Sequence, residues 1–126
     1  MATILLVDDD SVQAATRKAI LTHSGKVVVL AATGRQALTL LEDPGLAASI
    51  GMVITDHLMP GMNGPQFVTE LRQRFPSLPV LVLSGLPDGE SEYEGMQVLY
   101  RLKPLAPEEL IRLAQSIPGD ALGRTA

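Results

Sequence analysis

The sequence predicts an α/β fold in which helices cover both faces of a doubly wound parallel sheet. Five short apolar runs, at residues 3–7, 26–30, 52–56, 79–83 and 98–102, alternate with helical or turn-rich segments. This alternation is typical of parallel strands joined by right-handed crossovers. The runs have no regular polar positions, which indicates strands buried on both faces. At 126 residues the chain is long enough for one domain with a real core and too short for two.

Helical spacing and boundary residues predict helices in four of the five segments that follow strands. These helices span residues 11 to about 23, 34 to about 42, 64 to about 75, and 107 to 117. In the first helix, Val12, Ala15 and Ala19, with Ile20 beside them, recur at helical spacing, which predicts an amphipathic helix. Asp10 or Ser11 is expected to cap this helix.

Three further segments are expected to be irregular. Residues 46–51 are interpreted as a linker into the central strand. Residues 85–97 are rich in Gly and acidic residues and have little helical periodicity, so the helix of the fourth crossover should be short or degraded. Residues 119–126 are interpreted as a loose tail that follows a domain of residues 1–118.

Composition excludes several classes of function. The chain has no Cys, which rules out disulfides, thiol nucleophiles and thiolate metal sites. A formal net charge of −4 argues against a nucleic-acid-binding surface, which needs clustered Lys and Arg. Nothing resembles a signal peptide, and no apolar stretch approaches the length of a membrane span. We therefore expect a cytoplasmic protein without nucleic-acid or membrane partners.

Four of the five strands end in polar residues that are chemically useful. Asp8 and Asp9 follow the first strand, Asp56 ends the third, Ser84 follows the fourth and Lys103 follows the fifth. Because the carboxyl ends of parallel strands meet at one edge of the sheet, where open α/β folds bind ligands, we expect these side chains to lie together. Adjacent carboxylates repel one another unless a cation lies among them, and their oxygens suit Mg²⁺. A Lys and a hydroxyl can bind the oxygens of a phosphoryl group attached to Asp56.

This arrangement resembles the receiver domain of two-component response regulators, of the chemotaxis-regulator type, from about residue 3 to residue 117. The matching residues are Asp8 and Asp9, Asp56 in VITDHLMPGMNG, Ser84 in LVLSG, and Lys103 in LKP, in the order that the family has them. The resemblance implies a flavodoxin-like fold with five strands in the order 2-1-3-4-5. It also implies a cis peptide bond between Lys103 and Pro104.

The resemblance assigns the phosphoacceptor and the metal ligands. Asp56 would accept the phosphoryl group. Asp9 and Asp56 would bind Mg²⁺ directly, together with the backbone carbonyl of Leu58. Asp8 would act on the metal through a water molecule.

The remaining site residues would bind or shield the phosphoryl group, or change conformation when it is attached. Ser84 would donate a hydrogen bond to one phosphoryl oxygen, and Lys103 would pair with another. Tyr100 lies where the family has its rotameric switch residue, which works with Ser84, although packing in the last strand accounts for Tyr100 equally well. Leu58 and Leu86 would flank the phosphoryl group and exclude water, so its hydrolysis is expected to be slow.

By the same resemblance, the chain takes a phosphoryl group from a histidine kinase or a histidine phosphotransfer protein and signals to an unknown output protein by a conformational change. It would be a phosphoacceptor that assists its own phosphorylation and dephosphorylation, and not an enzyme. It would act alone or as part of a hybrid kinase. The degraded fourth crossover argues against dimerisation through that face, so a monomer or a weak dimer is expected.

Two other functions are compatible with the sequence. Asp8 and Asp10 have the spacing of the nucleophile and the general acid of haloacid-dehalogenase-type phosphohydrolases. Against that function, Ser11 stands where that motif has Thr or Val, and no acidic metal motif follows Lys103. The second alternative is a receiver-like scaffold that binds partners without phosphorylation, and it is disfavoured because every active-site position is filled.

Overall fold

Five short strands pair in parallel and form the sheet on which the candidate site is built. In the computed structural model, which describes residues 2–116, they are β1 (Thr3–Val7), β2 (Val27–Ala31), β3 (Ile50–Asp56), β4 (Val80–Ser84) and β5 (Leu99–Leu102). Their order is β2-β1-β3-β4-β5, and all four pairs are parallel. The predicted fold class and strand order are confirmed.

The three central strands are buried on both faces, as predicted. Every residue of β1, β3 and β4 is buried. The edge strands differ from the prediction, because Val27 and Leu30 of β2 and Leu99 and Leu102 of β5 are exposed. An edge strand has a neighbour on one side only, so its side chains receive less cover than those of a central strand.

Helices cover the two faces of the sheet. They are α1 (Ser11–His23), α2 (Gly34–Leu40), α3 (Pro44–Ser49), α4 (Gly64–Arg74) and α5 (Pro107–Gln115), with a 3-10 helix at Pro87–Tyr93 between β4 and β5. One core cluster joins α1 and α5 to one face of the sheet, and the other joins α2, α4 and the 3-10 helix to the opposite face. Within residues 2–116, no helix has the length and apolar character needed to cross a membrane.

The fourth crossover is short and irregular, as predicted. It contains the 3-10 helix in place of an α-helix, and of its residues only Gly89 and Tyr93 are buried. The peptide bond between Lys103 and Pro104 is cis, which was also predicted. The predicted end of the last helix at residue 117 and the predicted tail 119–126 lie outside the described residues.

The inward face of α1 differs from the prediction. Of the residues at the predicted apolar spacing, Val12, Ala15 and Ala19 are exposed, and Ile20 is partly buried against the core. The buried residues are Ala14 and Leu21. Arg17 lies on the same face, three residues after Ala14 and four before Leu21. Its guanidinium group points inward and contacts buried carboxylates. Apolar spacing alone therefore predicts this face only in part, because a charged residue occupies its centre.

A short helix, α3, replaces part of the predicted linker before the central strand. The side chain of Asp43 accepts hydrogen bonds from two N–H groups of the first turn, and Pro44 occupies the first helical position. From the sequence, the preceding helix was expected to end at about residue 42, and no helix was predicted between it and the central strand. Since Asp43 and Pro44 begin a new one, β3 follows it directly and starts at Ile50, earlier than predicted.

Gly64, the first residue of α4, is a position where we expect Ala to destabilise the fold. A Cβ atom there would overlap the hydroxyl of the buried Tyr93 and lie 2.9 Å from the backbone oxygen of His57. Because this backbone is held in place, Gly64→Ala should lower the free energy of unfolding by about 1–3 kcal/mol in chemical denaturation. Gly85→Ala is the control, since its Cβ would meet no atom within 4 Å, and it should change that free energy by less than about 0.5 kcal/mol. Equal losses in the two variants would contradict this prediction.

Candidate functional site

Three carboxylates meet at the carboxyl edge of the sheet. Asp8 and Asp9 follow β1, and Asp56 ends β3. One oxygen from each carboxylate lies within 4.8 Å of one from each of the others. Asp8 and Asp56 are only 3% and 2% exposed, whereas Asp9 is an exposed residue. The cluster therefore has two buried members and one side that is open to solvent.

Two cations contact these carboxylates. The Nζ atom of Lys103, which follows β5, lies 2.9 Å from Oδ1 of Asp56. The Nη1 atom of Arg17, on α1, lies 2.8 Å from Oδ2 of Asp8 and 3.2 Å from Oδ1 of Asp56. Lys103 was predicted from the sequence to lie in the site, and Arg17 was not. The only sequence signal for Arg17 is a cation at helical spacing from Ala14.

Ser84 lies at the same edge of the sheet and is held by backbone contacts. It is the last residue of β4 and is buried. Its Oγ atom accepts a 2.9 Å hydrogen bond from the N–H of Leu86, and its backbone oxygen accepts one of 2.7 Å from the N–H of Lys103. A hydroxyl that accepts a hydrogen bond still has its own proton to donate, so Ser84 can bind an oxygen ligand at this edge.

The side chain of Tyr100 points inward and contacts the loop after β4. Tyr100 is buried, and its hydroxyl donates a hydrogen bond to the backbone oxygen of Leu86. Gly89 of the 3-10 helix makes room for it, because a Cβ atom there would overlap the Tyr100 hydroxyl. Ser84 and Tyr100 therefore bind the same residue, Leu86, one at its N–H and the other at its carbonyl group.

His57, directly after Asp56, was not singled out in the sequence, yet it is buried in a polar network. Its Nδ1 atom lies 2.7 Å from the hydroxyl oxygen of Tyr93, and its Nε2 atom lies 3.3 Å from the carboxylate of Glu92. Its ring meets those of Tyr93 and Tyr100 edge-on, with centroids 5.5 and 6.3 Å apart. Burial, with Tyr100 and Glu92 nearby, raises the pKa of Tyr93 far above its ordinary value. These contacts join the end of β3 to the 3-10 helix.

Burial raises the pKa of the Asp8 carboxyl group from 3.8 to about 7. The neighbouring Asp56 carboxylate adds to this rise. The N–H of Asp10, which donates a 2.9 Å hydrogen bond to Asp8, and the guanidinium of Arg17 both oppose it. Burial and the nearby Asp56 therefore outweigh the opposing effects of Arg17 and the Asp10 N–H on the pKa of Asp8.

The acidic cluster fits a hard divalent cation such as Mg²⁺. All three side chains offer carboxylate oxygens, which are the donors that Mg²⁺ prefers. The exposed Asp9 leaves room for the water molecules that Mg²⁺ retains. The carbonyl group of Leu58, two residues after Asp56, stays a prediction as a metal ligand.

Asp10 caps a helix and does not belong to the cluster. Its carboxylate accepts hydrogen bonds of 2.9 and 3.1 Å from the N–H groups of Val12 and Gln13, as its predicted capping role requires. A carboxylate bound in this way is not placed to act as the general acid of a haloacid-dehalogenase-type phosphohydrolase.

The chain matches a known protein family over most of its length. The family model of the response regulator receiver domain matches residues 4–115. The chain belongs to the response regulator receiver family. As a receiver domain of two-component signalling, it shares the acidic cluster at which this family binds Mg²⁺. The family match and the relatives named below do not support the phosphohydrolase alternative.

Curated relatives of this receiver are response regulators of greater length. The chain is 30% identical to the hydrogenase transcriptional regulatory protein HoxA of Cupriavidus necator over 94% of its own length, and covers 26% of that protein. It is 32% identical to the response regulator MprA of Mycolicibacterium vanbaalenii over 98% of its length, and covers 55% of that protein. The chain thus spans between a quarter and about half of these two relatives.

Solved receiver structures have the same fold. The chemotaxis protein CheY4 of Vibrio cholerae superposes with a TM-score of 0.82 at 30% identity, over 93% of this chain and 98% of that one. A CheY-like receiver domain from Methanospirillum hungatei superposes with a TM-score of 0.86 at 22% identity, over 100% of this chain and 99% of that one. At that lower identity the likeness supports the fold alone.

The raised pKa of Asp8 predicts that the metal-free receiver loses stability as the pH rises from 3.8 to about 7. In this range the folded state keeps a proton on Asp8 that the unfolded chain has released, so a rising pH favours unfolding. Thermal melting in the presence of a chelator, at several pH values, measures the effect. Asp8→Asn should flatten the dependence, whereas Glu42→Gln, at an exposed carboxylate, should leave it unchanged. A slope that persists in Asp8→Asn would contradict the assignment.

Proposed function

We propose that Asp56 accepts a phosphoryl group from a phosphohistidine in a Mg²⁺-dependent reaction. The observation that supports this most directly is the buried carboxylate of Asp56, paired with Lys103 beside two further carboxylates, Asp8 and Asp9. Like charges gathered in this way oppose folding, and their presence at the ligand-binding edge of a parallel sheet is typical of a functional site.

In the proposed reaction, a carboxylate oxygen of Asp56 attacks the phosphorus atom of the phosphohistidine. The new P–O bond forms as the P–N bond breaks, and the histidine nitrogen keeps the electron pair of that bond. Lys103 and Ser84 bind the phosphoryl oxygens and stabilise the charge that collects on them. Mg²⁺, when bound, supplies further neutralisation of this charge.

The proposed metal ligands are Asp9 and Asp56, the backbone carbonyl of Leu58 and, through a water molecule, Asp8. Mg²⁺ usually takes one or two carboxylates and keeps several waters, which agrees with two direct carboxylates and one indirect. The contrast between the buried Asp56 and the exposed Asp9 supports this division, since an ion between them would be anchored on one side and hydrated on the other.

Leu86 is proposed to transmit the phosphorylation signal. Its N–H donates to Ser84, and its carbonyl group accepts from Tyr100. When Ser84 turns towards a phosphoryl oxygen, the N–H of Leu86 loses its partner and the loop moves, which changes the support for Tyr100. Ser84 and Tyr100 thus act together as the switch, and Tyr100 does more than fill the core. The 3-10 helix that follows has few buried residues and is suited to such a shift.

The proposed partners are a histidine kinase or a histidine phosphotransfer protein, and an output protein that remains to be identified. A groove of about 550 Å³ between α1 and α5 borders Lys103 and is lined by apolar side chains that include Val12, Ile20 and Leu105. An apolar groove beside the phosphorylation site suits a partner helix that presents a histidine. The sensor kinase CckA of Brucella abortus is 34% identical over 67% of this chain, which supports a hybrid kinase as one setting for this receiver.

The wider setting also belongs to this proposal. We place the receiver, as a domain of residues 1–118, in the cytoplasm and as a monomer or a weak dimer. The irregular fourth crossover supports a monomer or a weak dimer, because it offers only a short helix for self-association. The protein is proposed to be a phosphoacceptor that assists its own phosphorylation and dephosphorylation. It is not proposed to be an enzyme that acts on a separate substrate.

Acetyl phosphate and Mg²⁺ should label Asp56, and mass spectrometry of the digested protein should locate the label there. Asp56→Asn should take up no label, whereas the matched control Asp88→Asn, at an exposed carboxylate of the 3-10 helix, should be labelled like the wild type. Label on Asp8 would support the phosphohydrolase instead. The absence of label from the wild-type protein would favour the unphosphorylated scaffold.

Leu58 and Leu86 should slow the hydrolysis of the phosphorylated receiver. Both follow a site strand by two residues, and apolar side chains there cannot orient an attacking water. They are 66% and 42% exposed, so polar replacements should not disturb the core. The double variant Leu58→Asn, Leu86→Glu should lose its label several-fold faster in a time course of phosphoprotein decay. Leu99→Asn, an exposed change at the opposite edge of the sheet, should decay like the wild type, and an unchanged rate in the double variant would refute this expectation.

A further inference from the structure

Arg17 occupies the position of a cation within the acidic cluster. Its side chain is 15% exposed, and its Nη1 atom contacts Oδ2 of Asp8 at 2.8 Å and Oδ1 of Asp56 at 3.2 Å. These carboxylates lie at the ends of separate strands, so one guanidinium nitrogen connects β1 and β3. Because both carboxylates are buried, these contacts differ from an exposed ion pair, which contributes little.

Arg17 contacts oxygens of two carboxylates that belong to the proposed metal site, Asp8 and Asp56. Oδ1 of Asp56, a residue proposed to bind the metal directly, is shared by Arg17 and Lys103. Oδ2 of Asp8, a proposed ligand through water, contacts Arg17, and Oδ1 of the same residue accepts the N–H of Asp10. Three of the four oxygens on Asp8 and Asp56 therefore have a protein partner before any metal binds.

The net charge of the cluster also indicates that Arg17 and a divalent metal ion compete for the same site. With Asp8, Asp9 and Asp56 ionised, Arg17 and Lys103 leave one net negative charge. Without Arg17 the cluster would have two, which a single Mg²⁺ would balance. A divalent ion that enters beside Arg17 would instead leave excess positive charge in a partly buried site, where charges interact strongly.

We infer that Arg17 competes with Mg²⁺ for the unphosphorylated cluster and lowers the metal affinity of this receiver. The inference rests on the proposed function, because it concerns the same metal site. By neutralising two buried carboxylates, Arg17 stabilises the metal-free fold, and the same contacts oppose metal binding. Arg17 therefore raises the Mg²⁺ concentration at which the receiver can accept a phosphoryl group.

Calorimetric titration of the full chain with MgCl₂ at pH 8 tests this inference. Arg17→Met keeps a long side chain, removes the charge, and should bind Mg²⁺ about tenfold more tightly than the wild type. Lys18→Met is the matched control, because it removes a positive charge from the next, exposed position of α1. It should bind Mg²⁺ within about twofold of the wild type, since solvent and salt screen an exposed charge. Equal or weaker binding by Arg17→Met, or an equal gain in Lys18→Met, would overturn the inference.

Thermal melting distinguishes competition from a purely structural role of Arg17. In chelator, Arg17→Met should melt at a lower temperature than the wild type, and saturating Mg²⁺ should remove most of the difference. A loss of the same size with and without Mg²⁺ would overturn the inference. If Arg17→Met does not fold without metal, Arg17→Lys takes its place, because an ammonium group cannot reproduce the guanidinium contacts, and it should bind Mg²⁺ more tightly than the wild type by a smaller factor.

The calorimetry and the melting curves both use the unphosphorylated protein. A tighter Arg17→Met variant together with an unlabelled Asp56 would therefore refute the proposed function and leave the competition in place. A labelled Asp56 together with an unchanged metal affinity in Arg17→Met would refute the competition and leave the proposed function in place.

Discussion

The pairing of two buried carboxylates with two cations is the interaction on which the rest of this receiver depends. Asp8 follows β1 and Asp56 ends the neighbouring parallel strand β3, and a buried carboxylate is costly unless a counter-charge reaches it. Lys103 reaches Asp56 from the end of β5, and Arg17 reaches both carboxylates from α1. Charge therefore acts together with apolar packing to position the loop after β5 and to orient α1.

The residues beside this charged cluster connect it to the fourth crossover. The N–H of Leu86 donates to Ser84 and its carbonyl group accepts from Tyr100, so the residue is bound by side chains from two different strands. His57 extends from the end of β3 to Tyr93 in the 3-10 helix. A short helix with few buried residues is thus joined to the site by specific polar contacts, which allows the crossover to respond to the site without a large core of its own.

The sheet and the carboxylate cluster could be predicted from the sequence because both follow from local patterns. An apolar run that ends in Asp specifies a strand and its polar end, and parallel pairing then brings Asp8 and Asp56 together. The inward face of α1 could not be predicted in this way, because Arg17 faces inward only when carboxylates from two strands are already in place. The same holds for His57, whose partner Tyr93 lies 36 positions further along the chain. Contacts of this kind have no local signature.

The close fit between Gly64 and Tyr93 makes two distant positions interdependent. The space that a side chain at Gly64 would need is filled by the Tyr93 hydroxyl, which also binds His57. If the fourth crossover were exchanged for that of another receiver lacking this tyrosine, a void would remain above Gly64 and a buried imidazole would lose its partner. In building chimeric receivers from this chain, the unit to exchange is therefore the loop of residues 57–64 together with residues 87–93, and not the crossover alone.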